Sequence, residues 1–132
     1  MKFLLDTDTC IYALKRREGV IEQLLSQARE DVAVSVITEA ELRTGAGKSS
    51  SPAKTLRLME NFLRPLTIVE FTSEDAVTYA RIRTRLERAG TLIGPLDTLI
   101  AAQAVARKLT LVTNNEREFR RVSDLTVENW TR

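Results

Sequence analysis

Short apolar runs rich in β-branched residues alternate along the chain with longer stretches in which apolar positions recur every three or four residues. The short runs predict strands over residues 2–5, 31–37, 66–71 and 109–113, with a further short strand over 125–127. The longer stretches predict helices over residues 7–14, 20–28, 38–47, 53–64, 73–90 and 96–107, and a short helix within 114–119. Strands that alternate with helices are typical of a parallel sheet with helices on both faces. The pattern therefore predicts a compact α/β/α domain with a central parallel sheet of four to five strands.

Residues that favour helix ends refine these boundaries. Thr7–Thr9 offer side chains that can cap the first helix, and Thr38 with Glu41 three residues later matches a capping box. That match predicts that the third helix begins at Thr38 and ends near Gly45 or Gly47.

The length of 132 residues predicts one domain over residues 1–132, and no repeat, low-complexity tract or long linker interrupts it. Hydrophobic residues make up 43% but aromatic residues only 5%, so the core must consist mainly of Leu, Ile, Val and Ala, with Trp130 covering one end. The formal charge of +2 is near neutral and does not by itself indicate nucleic-acid binding.

Two residue counts exclude whole classes of site. Histidine is absent, which removes His-dependent triads and His metal sites. The single cysteine, Cys10, excludes an internal disulfide and is predicted to be a small buried apolar residue. The first apolar run is only a few residues long before Asp6 interrupts it, so neither a signal peptide nor a membrane span is expected. A cytoplasmic location is the resulting expectation.

Three acidic residues follow or adjoin apolar runs, although they lie far apart in the sequence. Asp6 comes directly after the first predicted strand, Glu41 follows the second, and Asp97 lies before a strongly apolar helical stretch. Groups at the carboxyl ends of parallel strands, or on adjoining helices, can converge in one crevice. Carboxylates without a His or Cys partner suit a hard divalent cation such as Mg²⁺ or Mn²⁺. This pattern favours metal-dependent phosphodiester chemistry.

Each acid also has an ordinary structural explanation. Asp6 could cap the first helix, Glu41 could serve only the capping box, and Asp97 could favour its helix through the dipole. However, a carboxylate that directly ends a buried strand is costly without a partner, and a shared cation would supply one. A phosphate-binding loop is not an alternative, because GAGK at 45–48 lacks the Walker spacing.

Five segments of the chain resemble, in order, the successive motifs of the PIN-domain ribonucleases, and most closely the VapC toxins of type II toxin–antitoxin pairs. They are LLDTDTCIY, SVITEAELRTGA, IGPLDTLIAAQA, LVTNNEREF and VENW. The resemblance implies a PIN-like α/β/α fold and binding of Mg²⁺ or Mn²⁺ by clustered acids. It also implies RNA cleavage, a homodimer and inhibition by a VapB-type antitoxin. Similarity to the enteric VapC type implies a transfer RNA substrate, with the initiator tRNA cut in its anticodon loop as the specific expectation.

Carried over by position, the resemblance assigns the catalytic and metal-binding roles to Asp6, Glu41 and Asp97. Glu39 competes with Glu41 for the second position, but the Glu that precedes Leu42 matches the family pattern better.

The chain departs from the family pattern at two positions. Asn115 stands where many members carry a fourth acid, and either Glu116 or Glu118 could compensate, with Glu118 preferred. Asp8 stands where Asn is common and would add negative charge near the site. Thr113 and Asn114 are predicted to orient waters or ligands there, although a strand end and a turn would also explain them.

Basic residues near the end of the chain, Arg117, Arg120 and Arg121, could follow an RNA backbone or form a solvated helix face. The arginines of the helix predicted over 73–90 leave the same choice open, with antitoxin contact as a third possibility. Excess apolar residues on the helices over 53–64 and 73–90 are consistent with the homodimer that the resemblance implies.

One alternative function remains open at this point, namely a catalytically impaired PIN-fold module that binds RNA or protein. The Asn at position 115 favours it, and the intact set of Asp6, Glu41 and Asp97 argues against it.

Overall fold

The computed structural model describes residues 1–131 and contains one five-stranded sheet in the order β3-β2-β1-β4-β5, with every neighbouring pair parallel. The strands are β1 (Phe3–Leu5), β2 (Val32–Ser35), β3 (Thr67–Val69), β4 (Thr110–Val112) and β5 (Thr126–Glu128). The prediction of a parallel sheet flanked by helices is confirmed, and the strand count is the upper of the two expected.

Seven α-helices connect and flank the strands over residues 1–131. They are α1 (Thr7–Leu14), α2 (Glu18–Leu25), α3 (Val36–Lys48), α4 (Pro52–Leu63), α5 (Ser73–Ala89), α6 (Pro95–Arg107) and α7 (Glu116–Phe119). A short 3-10 turn over Arg29–Asp31 precedes β2. None of these helices is both long and apolar enough to cross a membrane.

The two faces of the sheet carry separate hydrophobic clusters, which explains why the strands read as continuous apolar runs. Leu4 and Leu111 belong to the cluster beneath α5 and α6, whereas the next residues, Leu5 and Val112, belong to the cluster beneath α1–α4. Successive side chains on a strand point to opposite faces, so both must be apolar. Cys10 is fully buried in the second cluster, as predicted, and Trp130 is 2% exposed there, with its ring 5.2 Å from that of Phe3.

Register brings the carboxyl ends of the central strands to one edge. Leu5 pairs with Val34 and with Val112, so the residues that follow β1, β2 and β4 emerge side by side. Asp6 follows β1 at this edge and Thr113 follows β4 there, while α3 begins directly after β2. We call this side of the sheet the carboxyl edge.

The start of α3 differs from the predicted capping box. Ser35 is the N-cap, because its hydroxyl accepts a hydrogen bond from the backbone N–H of Ile37 at 2.9 Å, and the helix begins at Val36. Thr38 and Glu41 therefore lie inside the helix, where neither can cap it, and their spacing only imitates the motif. The first helix is likewise capped by Asp6 rather than by the threonines that follow it.

The ends of α3 and α5 show different uses of glycine. The third helix continues through Gly45 and Gly47 to Lys48, contrary to the predicted stop, since neither glycine adopts a left-handed conformation. Gly90 does adopt one, with φ of 68°, and it ends α5 as predicted.

Candidate active site

Asp6 is held at the carboxyl edge by its position between β1 and α1. Its side chain is 2% exposed, and its Oδ1 accepts a hydrogen bond from the backbone N–H of Thr9 at 2.8 Å. Burial raises the pKa of Asp6 to about 6, because desolvation outweighs the hydrogen bonds from Thr113 and Thr9, and the charge of Asp8 raises it further. A buried carboxylate with a raised pKa is unusual for a residue that only caps a helix.

Glu41 reaches the same edge from the second turn of α3. The hydroxyl of Thr7 donates to Glu41 Oε1 at 2.7 Å and lies 3.0 Å from the hydroxyl of Thr38. This contact joins the start of α1 to α3 and fixes the glutamate beside the segment that carries Asp6. Glu39 instead forms an ion pair with Arg43 at 2.8 Å, which separates it from the acids of the edge.

Asp97 lies in the first turn of α6 and is half-buried. Its pKa is raised to about 6, first by burial and then by the charges of four acids, which are Asp6, Glu41, Asp8 and Glu118. Since a coulombic effect of this kind requires proximity, the fold brings the three predicted acids and two auxiliary acids into one cluster. We call these five residues the acidic cluster.

The departure at position 115 is tied directly to this cluster. The Asn115 side-chain amide donates to Glu118 Oε2 at 2.9 Å, and its backbone N–H donates to the Thr113 hydroxyl at 2.8 Å. Thr113 is fully buried and hydrogen-bonds to Asp6. Asn115 therefore orients Glu118, which contributes to the raised pKa of Asp97.

Asn114 is hydrogen-bonded to the first helix and to the C-terminal segment. Its amide nitrogen donates to the Tyr12 hydroxyl at 3.2 Å, and its carbonyl oxygen accepts from Thr131 at 3.0 Å and from Asn129 at 3.3 Å. The structure thus places Asn114 beside the acidic cluster, in a hydrogen-bond network that also includes the Glu116 carboxylate through Asn129.

The arginines predicted to contact RNA are mostly engaged within the chain. Arg120 pairs with Glu116 at 2.9 Å, and Arg121 donates to the carbonyl oxygen of Leu92, whereas the exposed Arg117 has no ion pair within residues 1–131. On α5, Arg81 and Arg85 share Asp124, and Arg83 pairs with Glu87.

The donor set of the acidic cluster fits a hard cation, because it consists of carboxylate oxygens and the charges that act most strongly on Asp97 are all negative. Among residues 1–131, however, no three Asp, Glu or Cys side chains are close enough together to hold a metal ion as they stand. The acids lie near enough for their charges to act on Asp97, but they do not form a closed coordination shell.

This geometry can be set beside known proteins. Residues 3–125 match the PIN domain family. The chain belongs to the PIN-domain family. Within it, the chain belongs with the VapC ribonucleases. It is 38% identical over 130 residues to the tRNA(fMet)-specific endonuclease VapC of Salmonella typhimurium and 42% identical over 130 residues to ribonuclease VapC2 of Haemophilus influenzae, with 98% of both chains covered in each case.

Solved structures of this family share the whole fold. The DNA-bound VapBC of Salmonella typhimurium matches with a TM-score of 0.95 at 38% identity, covering 98% of each chain. The five-stranded parallel sheet and its carboxyl edge are therefore a PIN-domain architecture.

Two polar contacts of the PIN site were not foreseen from the sequence. The sequence pattern indicates only a capping role for Thr7 and a helical position for Tyr12, whereas Thr7 binds Glu41 and Tyr12 binds Asn114. No local signal in the sequence indicates either contact, because its two residues lie 34 and 102 positions apart, respectively.

Proposed function

We propose that this chain is a metal-dependent endoribonuclease, a hydrolase of phosphodiester bonds, and the toxin of a toxin–antitoxin pair. The observation that carries the proposal is the acidic cluster, in which burial and then the charges of the four other acids raise the pKa of Asp97. A cluster of uncompensated carboxylates at the carboxyl edge is costly for folding and is best explained by a cation-dependent reaction.

Asp6, Glu41 and Asp97 would hold Mg²⁺ or Mn²⁺ through carboxylate oxygens. When bound, the ion supplies an activated water and neutralises charge on the scissile phosphate. Thr7 keeps Glu41 in place, and Thr113 and Thr9 keep Asp6 in place. Asp8 and Glu118 would add negative charge around these ligands, and Asn115 would position Glu118.

The proposed substrate is a structured RNA, specifically a transfer RNA, with the anticodon loop of the initiator tRNA as the site of cleavage. The support is the name of the Salmonella relative, a tRNA(fMet)-specific endonuclease. Cleavage of this RNA would arrest translation in the cytoplasm.

A VapB-type antitoxin is the proposed inhibitor, supported by the VapBC complexes among the similar solved structures. We also propose a homodimer, which is consistent with exposed apolar side chains such as Leu58 on α4 and Val77 on α5, 55% and 73% exposed.

A catalytically impaired binding module is the second candidate, favoured by the amide at Asn115 in place of an acid. The hydrogen bond from Asn115 to Glu118 weighs against it, because it brings a carboxylate of the neighbouring turn to the cluster.

Induction of the chain in bacteria without its antitoxin should stop growth, and mapping the 5′ ends of cellular RNA shortly afterwards should reveal new ends concentrated in one tRNA. The variant Asp6→Ala should relieve the arrest and remove the new ends. Growth arrest that persists in Asp6→Ala without new RNA ends would favour the binding module.

A further inference from the structure

The turn between α1 and α2 carries three consecutive basic residues, Lys15, Arg16 and Arg17, which we call the basic turn. All three are exposed, and no ion pair within residues 1–131 includes any of them. Elsewhere within residues 1–131, arginine clusters are partly neutralised by acids, as Arg81 and Arg85 are by Asp124. The basic turn is therefore a concentrated source of uncompensated positive charge.

A chain of contacts joins the basic turn to the acidic cluster. The guanidinium carbon of Arg17 lies 4.8 Å from the centre of the Tyr12 ring, in a cation–π contact. The Tyr12 hydroxyl accepts a hydrogen bond from Asn114, and Asn114 directly follows Thr113, which binds Asp6. Arg17 is thus held by an aromatic ring that is itself anchored at the carboxyl edge, so less side-chain entropy remains to be lost on binding an anion.

The separation of the two features matches a short length of RNA. The first helix begins beside Asp6 and has 8 residues, which at 1.5 Å per residue places its far end about 12 Å from the carboxyl edge. That length corresponds to roughly three nucleotides at the 3.4 Å axial rise of one duplex strand. The acidic cluster repels RNA phosphates, so binding of an RNA strand requires positive charge close to it.

We propose that the basic turn binds backbone phosphates of the RNA strand a few nucleotides from the scissile bond. Arg17 contacts a phosphate from its position over Tyr12, and Arg16 contacts a neighbouring phosphate. Contacts of this kind position the strand without reading its sequence. The inference deepens the proposed ribonuclease function and depends on it for the identity of the strand.

Arg16 provides a test with a matched control elsewhere in the chain. Arg16 and Lys108 are the two non-glycine residues with positive φ within residues 1–131, at 59° and 57°, and both are exposed and basic. Lys108 lies at the end of α6 before β4 begins, at the opposite edge of the sheet. Arg16→Gly and Lys108→Gly each remove one positive charge and each relieve a left-handed backbone conformation.

Binding is measured by fluorescence anisotropy with a labelled single-stranded oligouridine, in an Asp97→Asn background that prevents cleavage. Arg16→Gly should weaken binding about 3- to 10-fold at low salt and reduce the slope of log K against log salt by about 0.7, the value for one lost contact to a single strand. Lys108→Gly should leave both quantities unchanged. Thermal melts should show both variants to be at least as stable as their parent, which excludes misfolding as the cause.

An equal loss of RNA affinity in the two variants would overturn the proposal, because net charge alone would explain it. Unchanged RNA affinity in Arg16→Gly would overturn it as well. Loss of antitoxin binding with normal RNA binding would instead assign the basic turn to the protein partner. The same substitutions in the parent chain, assayed for cleavage of bulk tRNA, separate this proposal from the proposed function. If Arg16→Gly weakens RNA binding but the parent chain never cleaves RNA, only the proposed function is contradicted. If the parent chain cleaves RNA and Arg16→Gly binds RNA as well as before, only the inference is contradicted.

Discussion

Asp97→Asn should abolish RNA cleavage and at the same time make the protein more stable at neutral pH. Changes to residues that only hydrogen-bond a metal ligand lower activity roughly 10- to 100-fold. Loss of the ligand itself should lower activity by more than this. The stability gain follows from the raised pKa, because burial and four neighbouring acids oppose the charged form of Asp97 in the folded protein. A shift from 3.8 to about 6, discounted for the partial exposure of this side chain, corresponds to about 1 to 2 kcal/mol and roughly 3 to 8 °C in Tm.

The gain should depend on pH in a defined direction. Below about pH 4 the Asp97 carboxyl is protonated in both the folded and the unfolded states, so the variant and its parent should melt together. Between pH 4 and pH 6 the unfolded state ionises first, which destabilises the parent, and above pH 6 the difference should be constant.

Asp124→Asn is the matched control, since a hydrogen bond from Arg81 lowers the pKa of Asp124 and the acid lies outside the cluster. That variant should retain cleavage and gain no stability at pH 7. If Asp97→Asn melted below its parent at pH 7, the acids would not be the source of strain that the raised pKa implies.

Arg107→Ala should destabilise the fold by about 3 kcal/mol, measured by urea unfolding at pH 7. Asp75, which Arg107 pairs with, is 1% exposed at the start of α5. Burial raises the pKa of Asp75, but the hydrogen bonds from Arg107 and from the Thr72 backbone lower this pKa by a larger amount. The net shift in the pKa is therefore downward. Without Arg107 the buried charge loses its partner, and the Glu70 carbonyl oxygen loses a donor at 3.1 Å.

The destabilisation should shrink in acid, because protonation of Asp75 below its ordinary range removes the stability that the ion pair contributes to the parent. Arg43→Ala is the control, since Arg43 is 47% exposed in its contacts with Glu39 and Glu60. Surface pairs of this kind contribute at most about 1 kcal/mol. Equal effects of the two substitutions would mean that the burial of Asp75 has no energetic consequence.

The sheet was predictable from the sequence because its strands are buried on both faces. Val32, Ala33 and Val34 form an unbroken apolar run for that reason, and Leu4 and Leu5 belong to different clusters. The predicted start of α3 is wrong because Thr38 and Glu41 have the spacing of a capping box, while the true cap, Ser35, is also the last residue of β2.

The candidate site was only partly predictable. Asp6 could be placed at the carboxyl edge because it directly follows a strand, and this position required no knowledge of distant contacts. The bond from Thr7 to Glu41 spans 34 residues and that from Asn114 to Tyr12 spans 102, so neither leaves a local pattern in the sequence. No local pattern relates the basic turn to the acids either, because the contact between Tyr12 and Asn114 joins distant parts of the sequence.

The most direct test of the central claim is cleavage of bulk tRNA by purified protein after treatment with a chelator, followed by return of single cations. If Asp6, Glu41 and Asp97 bind a divalent cation that cleavage requires, the chelated protein should be inactive. Added Mg²⁺ or Mn²⁺ should then restore the cuts in the parent chain and not in Asp97→Asn. Undiminished cleavage in the presence of excess chelator, at the same sites and absent from a mock purification, would contradict the account.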